Sequence, residues 1–332
     1  MFFFPNQIIF LTILMMSTIL SVSSNSWLGA WMGLEMNLLT FIPLMSSVKN
    51  CFSSEASMKY FIIQAFASSL LLFSSLMIYM NFFYNMNFLL LLMTLLLKMG
   101  AAPFHFWFPS VAEGISWNVN IILMTWQKLA PMMLISYISN IMSFFLQIIA
   151  LMSIIIGSMM GLTQTSLRKI MSYSSINHMG WMISTFFLNK TLWKIYFIMY
   201  SILTILMLKI FNINKIFQFN QMFNLNNKNK YMKFIIFCNF LSLGGLPPFL
   251  GFLPKWFILN NLIYNQFYLI MILMLIFTLI NLFYYLRMSM NSFLLLNMQL
   301  KWNLITFPYN FYMNMLLIFS LLGLFFSFIF FY

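Results

Sequence analysis

Glu35, Lys98, Lys128 and Lys255 each interrupt a long apolar run in a sequence that otherwise keeps its charges at the run ends. A buried lysine near a carboxylate can be switched between its charged and neutral forms by its surroundings. Opposite charges about 4 Å apart at an effective dielectric near 20 attract by about 4 kcal/mol, enough to gate protonation. A row of such groups has the chemistry of a proton relay.

Depth supports that assignment. At 1.5 Å per helical residue, Glu35 and Lys128 lie roughly 14 Å inside their apolar runs, Lys98 roughly 16 Å inside, and Lys255 about 12 Å from the far end of its run. A hydrocarbon core of about 30 Å places all four near its middle. A charge there costs from roughly 2.5 to well over 10 kcal/mol unless it faces a wet or paired interior. Buried ion pairs or snorkelling side chains are the structural alternative, but three lysines and one glutamate do not pair off.

Two histidines are further candidates, His105 and His178. Histidine can shuttle protons near neutral pH, although a histidine held by one hydrogen-bond partner is the commoner arrangement. One histidine per span shows no pattern for haem ligation. Glu113 falls near a run end and Glu55 in a basic loop beside Lys59, so neither calls for a special role.

The relay candidates sit at helix breakers. Lys98 precedes Gly100 by two residues, Lys255 directly follows Pro254, and Lys128 precedes Pro131 by three, which predicts a kink at that proline. Gly100, Pro103, Phe104 and Pro109 recur as Gly245, Pro248, Phe249 and Pro254, each with an offset of 145 residues, and Pro247 adds to the second break. Paired Gly/Pro-interrupted helices in opposed halves are the sequence signature of an inverted-repeat transporter. Two unrelated proline kinks would be the bland account.

The elements that must position these residues follow from composition. Of 332 residues 63% are hydrophobic, against sixteen Lys and Arg and three Asp and Glu. A soluble chain this long would carry about eighty charges. Runs such as 89–97 are apolar on every face, unlike the alternating strands of an outer-membrane barrel. The expected fold is therefore an all-α polytopic membrane protein in one membrane domain, 1–332.

Apolar runs predict spans near 7–23, 26–45, 58–80, 87–115, 119–139, 141–162, 171–188, 191–211, 232–263, 265–287 and 311–331. The fourth and ninth are overlong and discontinuous, near 100–104 and 244–249. The first inverted repeat would occupy 7–139 and the second 141–287, with 311–331 an additional C-terminal helix. Residues 212–233 read as an exposed loop.

Eleven crossings put the termini on opposite sides of the bilayer. Lys49, Lys59, Arg168, Lys169, Lys209, Lys215, Lys228, Lys230, Lys233, Arg287 and Lys301 fall in loops on the N-terminal side, against Lys190 and Lys194 on the other. The N-terminus should thus face the positive-inside compartment. No cleavable leader or Arg-rich transit peptide is recognisable at the start. The scattered bases of this +13 chain do not form a nucleic-acid surface. Two cysteines, Cys51 and Cys238, are too few for a four-thiolate cluster, and no G-x-G-x-x-G occurs.

The segments 98–107 (KMGAAPFHFW), 126–131 (WQKLAP), 167–176 (LRKIMSYSSI) and 244–256 (GGLPPFLGFLPKW), with 31–35 (WMGLE) near the start, resemble the mitochondrially encoded subunit 2 family of NADH:ubiquinone oxidoreductase, respiratory complex I. These motifs run in family order over most of the chain, and the tail after about residue 290 carries none of them. The resemblance is to the shortened animal form, which lacks the leading helices of bacterial members.

The resemblance implies an antiporter-like module of the membrane arm that translocates protons as NADH oxidation drives ubiquinone reduction elsewhere in the complex. It matches Glu35 to the family's glutamate, Lys98 to its paired lysine, Lys128 to the central lysine and Lys255 to the lysine of the second broken helix. It also implies that FMN, iron–sulfur clusters, NADH and ubiquinone sites belong to other subunits. The implied neighbours are subunits 4 and 4L, accessory subunits and membrane lipids. The implied location is the mitochondrial inner membrane, N-terminus in the matrix and C-terminus in the intermembrane space. A free-standing cation/proton antiporter and a purely structural spacer of the arm are the competing readings.

Overall fold

The computed structural model describes residues 5–47, 50–80, 84–222 and 230–294. The span expected at 311–331, and the loop positions Lys49, Lys228 and Lys301, lie outside the described residues. Thirteen α-helices occupy the described residues, and the chain divides into two compact units, 1–149 and 150–332. Among the described residues, six helical segments are long and apolar enough to cross a membrane: Trp27–Met45, Cys51–Tyr79, Trp117–Ile138, Ser143–Thr163, Leu192–Asn214 and Tyr268–Met290.

The first unit contains α1 (Pro5–Ser23), α2 (Trp27–Met45), α3 (Cys51–Tyr79), α4 (Tyr84–Met99), α5 (Trp107–Gly114), α6 (Trp117–Met124) and α7 (Trp126–Ile138). Helix α2 starts where the Ser26 side chain accepts from the Gly29 amide, an N-cap that closes one orphan donor. It packs between α1 and α3, while α4 packs on α3 and α7. Buried hydroxyls in this unit, including Ser17, Ser21 and Thr94, donate to carbonyls three residues earlier on their own helices. Small polar side chains therefore enter an apolar interior without leaving a donor unmet.

Two local expectations change here. The first turn of α3 begins at Cys51, so Glu55 and Lys59 form an exposed i, i+4 pair on a helix, 2.6 Å apart, and not a loop contact. The interruption near Lys128 falls at Thr125, not at Pro131. Thr125 is distorted at the edge of the helical region (φ −113°, ψ −72°), and its hydroxyl donates to the Ile121 carbonyl at 2.6 Å, closing α6. Pro131 lies inside α7 with the helix continuing through it.

Helix α8 (Ser143–Thr163) runs across the boundary of the two units, and the second unit continues with α9 (Leu167–Phe186), α10 (Leu192–Asn214), α11 (Lys230–Gly244), α12 (Phe252–Tyr264) and α13 (Tyr268–Leu294). Helix α9 is buried along almost its whole length although it carries Ser172, Ser174, Ser175, Asn177 and His178. Its surroundings are other helices, so its polarity is turned to protein and not to lipid. By contrast α13 buries Met274, Tyr284, Tyr285 and Met288 on one side and exposes Leu269, Ile272, Leu279 and Phe283 on the other. That sided pattern is what a peripheral membrane helix requires.

The expected loop 212–233 is partly structured. Helix α10 persists to Asn214 and ends on Lys215 in the left-handed region at φ 52°. Residues 216–222 then lie against the ends of α8, α9 and α13. The Leu167 amide donates to the Phe217 carbonyl at 2.9 Å, and the Phe219 amide donates to the Thr165 carbonyl at 3.0 Å. The Arg168 guanidinium stands 4.5 Å from the Phe217 ring centroid, and the Arg287 guanidinium stands 6.0 Å from that of Phe219 while donating to the Leu162 carbonyl at 2.9 Å. Two of the bases expected to mark one membrane side thus also fasten this segment.

Candidate functional site

The two helix breaks are built alike. Helix α4 ends at Met99 and α11 at Gly244; the next residues, Gly100 and Gly245, take φ +71° and +80°. Only glycine adopts that conformation without strain. In each case the residue after the glycine reaches back five positions, Ala101 N–H to the Leu96 carbonyl at 3.1 Å and Leu246 N–H to Leu241 at 3.3 Å. Both are Schellman closures, which satisfy carbonyls that a helix end leaves open. The chain restarts in α5 and α12, and each carries proline at its third position, Pro109 and Pro254, where the missing N–H has no intrahelical acceptor anyway.

In the first unit Lys98 is buried just before its break. Gln64 of α3 donates to the Lys98 carbonyl at 3.2 Å, and the Trp107 indole donates to the Leu97 carbonyl at 3.1 Å, so two more carbonyls at the end of α4 meet side-chain donors. Glu35, half-buried on α2, acts electrostatically on Lys98 and accepts a 2.8 Å hydrogen bond from Ser68. The Trp31 indole donates to the Ser68 carbonyl at 3.0 Å and steadies that serine.

A small cavity of about 20 Å³ is lined by Lys98 with Asn37, Tyr60, Gln64, Gln127 and Pro131 among others. That is room for one water, and its walls offer the several polar groups a buried water needs. Gln127 donates to Asn37 at 2.9 Å across this space, bringing the turn that carries Lys128 to the same polar region. Lys128 itself is 2% exposed, with its ammonium 5.0 Å from the Phe108 ring centroid. Phe108 also packs against the Gly100 turn, so one ring separates the first break from Lys128. His105 is buried inside the break, where its Nδ1 lies 3.2 Å from the Pro103 carbonyl and its ring rests on Phe106.

In the second unit Lys255 is buried and donates to the Gly244 carbonyl at 2.8 Å. An ammonium at the negative end of a helix is favoured by the helix dipole. Its stem lies over Gly245, where an added β-carbon would stand 2.9 Å from Nζ. The Trp181 ring is 5.9 Å from the same ammonium. His178 lies one turn earlier on α9 and bonds Tyr196 Oη through Nδ1 at 2.9 Å.

The structure therefore places Lys98 at the small cavity, Glu35 on Ser68, Lys128 over the Phe108 ring, and Lys255 at the second break. It holds His105 within its own turn. Phe108, Trp181, Gln64 and Ser68 went unnoticed in the sequence because ordinary apolar or small polar residues acquire meaning only from a neighbour tens of positions away. Glu113 is exposed on α5, Cys51 is exposed and Cys238 buried. Among the described residues no group of three or more His, Cys, Asp or Glu side chains gathers as a metal site would require.

Residues 24–281 match the family described as NADH:quinone oxidoreductase/Mrp antiporter, transmembrane. The NADH-ubiquinone oxidoreductase chain 2 of Anopheles gambiae is 51% identical over 304 residues, covering 89% of this chain and 88% of that one. The corresponding Aedes aegypti protein is 55% identical over the same coverage, and that of Bos taurus 39% identical over 90% of both chains. Among solved structures, a chain of respiratory complex I from Thermus thermophilus with bound aureothin superposes with a TM-score of 0.85 at 22% identity, covering 97% of this chain and 78% of that one. A chain of the Mrp complex from Dietzia aligns with a TM-score of 0.80 at 16% identity, covering 87% and 60%. At these identities the structural likeness is one of fold.

Proposed function

Because this chain belongs to the NADH:quinone oxidoreductase/Mrp antiporter family and is a membrane-arm subunit of NADH:ubiquinone oxidoreductase, we propose that it translocates protons, with Glu35, Lys98, Lys128 and Lys255 as the relay. The observation that carries this reading is the burial of three lysines among apolar helices, each beside a helix interruption. No packing need accounts for a buried ammonium, and its cost demands a compensating use.

In this scheme Glu35 tunes Lys98, and Lys98 passes protons through the water-sized cavity by Gln127 toward Lys128. Lys255 serves the second half-channel from the end of α11. His105 and His178 are secondary relay candidates. The architecture we infer is eleven crossings in two inverted repeats, 7–139 and 141–287, with an extra helix at 311–331. The matched breaks at Gly100, Pro103 and at Gly245, Pro247, Pro248 support it.

We place the chain in the mitochondrial inner membrane with its N-terminus in the matrix, beside subunits 4 and 4L of the complex. The NADH, FMN, iron–sulfur and ubiquinone sites are assigned to other subunits. Replacement of Lys128 by Met in the assembled complex tests the reading. Proton-coupled quinone reduction should fall while NADH oxidation by an artificial acceptor persists. Full coupled activity in that variant would remove the relay.

A further inference from the structure

The second unit buries more hydroxyl groups around His178 than its packing needs. Tyr196, Tyr200, Tyr284 and Tyr285 are all fully buried, and Tyr285 lies near each of the other three. Tyr196 Oη contacts His178 Nδ1 at 2.9 Å, and the Tyr200 ring centroid is 5.2 Å from the His178 ring. Tyr200 bonds Ser175, Ser174 lies beside Tyr285, and the Tyr284 and Tyr285 rings are 4.5 Å apart, with the hydroxyls of both left without a hydrogen-bond partner among the described residues, as a row completed by water requires. Phenylalanine would fill the same volumes at no polar cost, so the hydroxyls call for a role.

The cluster has a direction. His178 stands ten residues along α9 from Arg168, about 15 Å at 1.5 Å per residue and half a hydrocarbon core. Tyr284 packs over Gly161 and lies one turn from Arg287, which holds the Leu162 carbonyl at the end of α8. The hydroxyls therefore lead from mid-helix to the arginine-bearing end of the unit.

A second observation marks this path as wet. Asn281, one turn before Tyr285 on the same face of α13, is fully buried, and neither amide atom has a hydrogen-bond partner among the described residues. Asn239 of α11, which packs on α13, has an unmet carbonyl oxygen as well. Buried amides in this condition are binding positions for water.

We propose that Tyr196, Tyr200, Tyr285 and Tyr284, with water held at Asn281, form a hydroxyl ladder that carries protons between His178 and the end of the unit at Arg168 and Arg287. The proposal rests on the proton-translocation reading above. Each oxygen accepts a proton on a lone pair and releases its own to the next, so no net charge stays and no redox partner is needed. Rotation of the hydroxyls resets the row.

The test uses the whole complex in sealed membrane vesicles. Tyr285→Phe and Tyr196→Phe keep the rings and remove the hydroxyls, Asn281→Leu removes the water site, and Tyr268→Phe on the exposed start of α13 is the control. Each hydroxyl variant should slow coupled quinone reduction about tenfold, the kinetic equivalent of one hydrogen bond. The H₂O/D₂O rate ratio should rise with it, while ferricyanide reduction by NADH stays unchanged. A wild-type proton-to-electron ratio and isotope ratio in assembled Tyr285→Phe or Tyr196→Phe complexes would overturn the ladder. Lys128→Met measured alongside separates the outcomes. If it too pumps normally the translocation reading fails, and if it alone is impaired only the ladder does. Should Tyr285→Phe fail to assemble on native gels, Tyr196→Phe carries the same two outcomes.

Discussion

The Lys255 ammonium lies 2.8 Å from the carbonyl of Gly244, the last residue of α11, and so joins a candidate relay group to the helix end it follows. Lys255→Met should leave that carbonyl unpaired in a buried site. The loss of a charged hydrogen bond costs about 1.5–3 kcal/mol. We expect lower thermal stability of the assembled complex together with impaired coupled quinone reduction. Lys255→Arg should recover stability more than turnover, because a guanidinium keeps the hydrogen bond but cannot release its proton.

Gly245→Ala should be damaging for two separate reasons. Its φ of +80° is disfavoured for any residue with a β-carbon, and that carbon would meet Lys255 Nζ at 2.9 Å. The backbone term alone is about 1–2 kcal/mol. Differential scanning of the purified complex should show the destabilisation, and Gly100→Ala should behave similarly against Phe108.

The Phe108 ring beneath Lys128 predicts a graded series. A desolvated cation–π contact contributes about 2 kcal/mol, and Phe108→Leu should remove it while filling most of the volume. The proton-to-electron ratio should fall in Phe108→Leu and return in Phe108→Tyr. Equal ratios across the series would mean that the ring only packs.

Glu35→Gln preserves shape and removes charge. Ser68 can still donate to the amide oxygen, so stability should change little, whereas coupled quinone reduction should drop about tenfold if the charge on Lys98 depends on this carboxylate. Ser68→Ala should have a smaller effect in the same direction. Steady-state assays on vesicles check both.

The exposed Glu55–Lys59 pair supplies the opposite expectation. Despite its 2.6 Å separation, both side chains are about half exposed, and such pairs contribute under about 1 kcal/mol. Lys59→Ala should leave both thermal stability and coupled turnover unchanged within measurement.

The costly charges and the breaks were legible in the sequence for the same reason. A lysine in an apolar run or a Gly–Pro cluster in a long helix violates a local rule, and violations stand out against a uniform background. The Thr125 interruption did not, because Pro131 offered a stronger local signal six residues later. The hydroxyl groups around His178 were invisible too. Serines and tyrosines of α9, α10 and α13 read one at a time as ordinary helix residues, and only tertiary proximity makes them a cluster.

The closed form of the two breaks has a mechanical consequence. Where a membrane helix is interrupted, the free carbonyls usually invite bending, but here Gln64, Trp107 and Lys255 hold them with their own side chains. Each break is therefore closed by side chains from outside the helix that it ends. In the second break the closing group is itself a relay candidate, so any swing of the Lys255 arm on its four flexible carbons would release the Gly244 carbonyl that it holds.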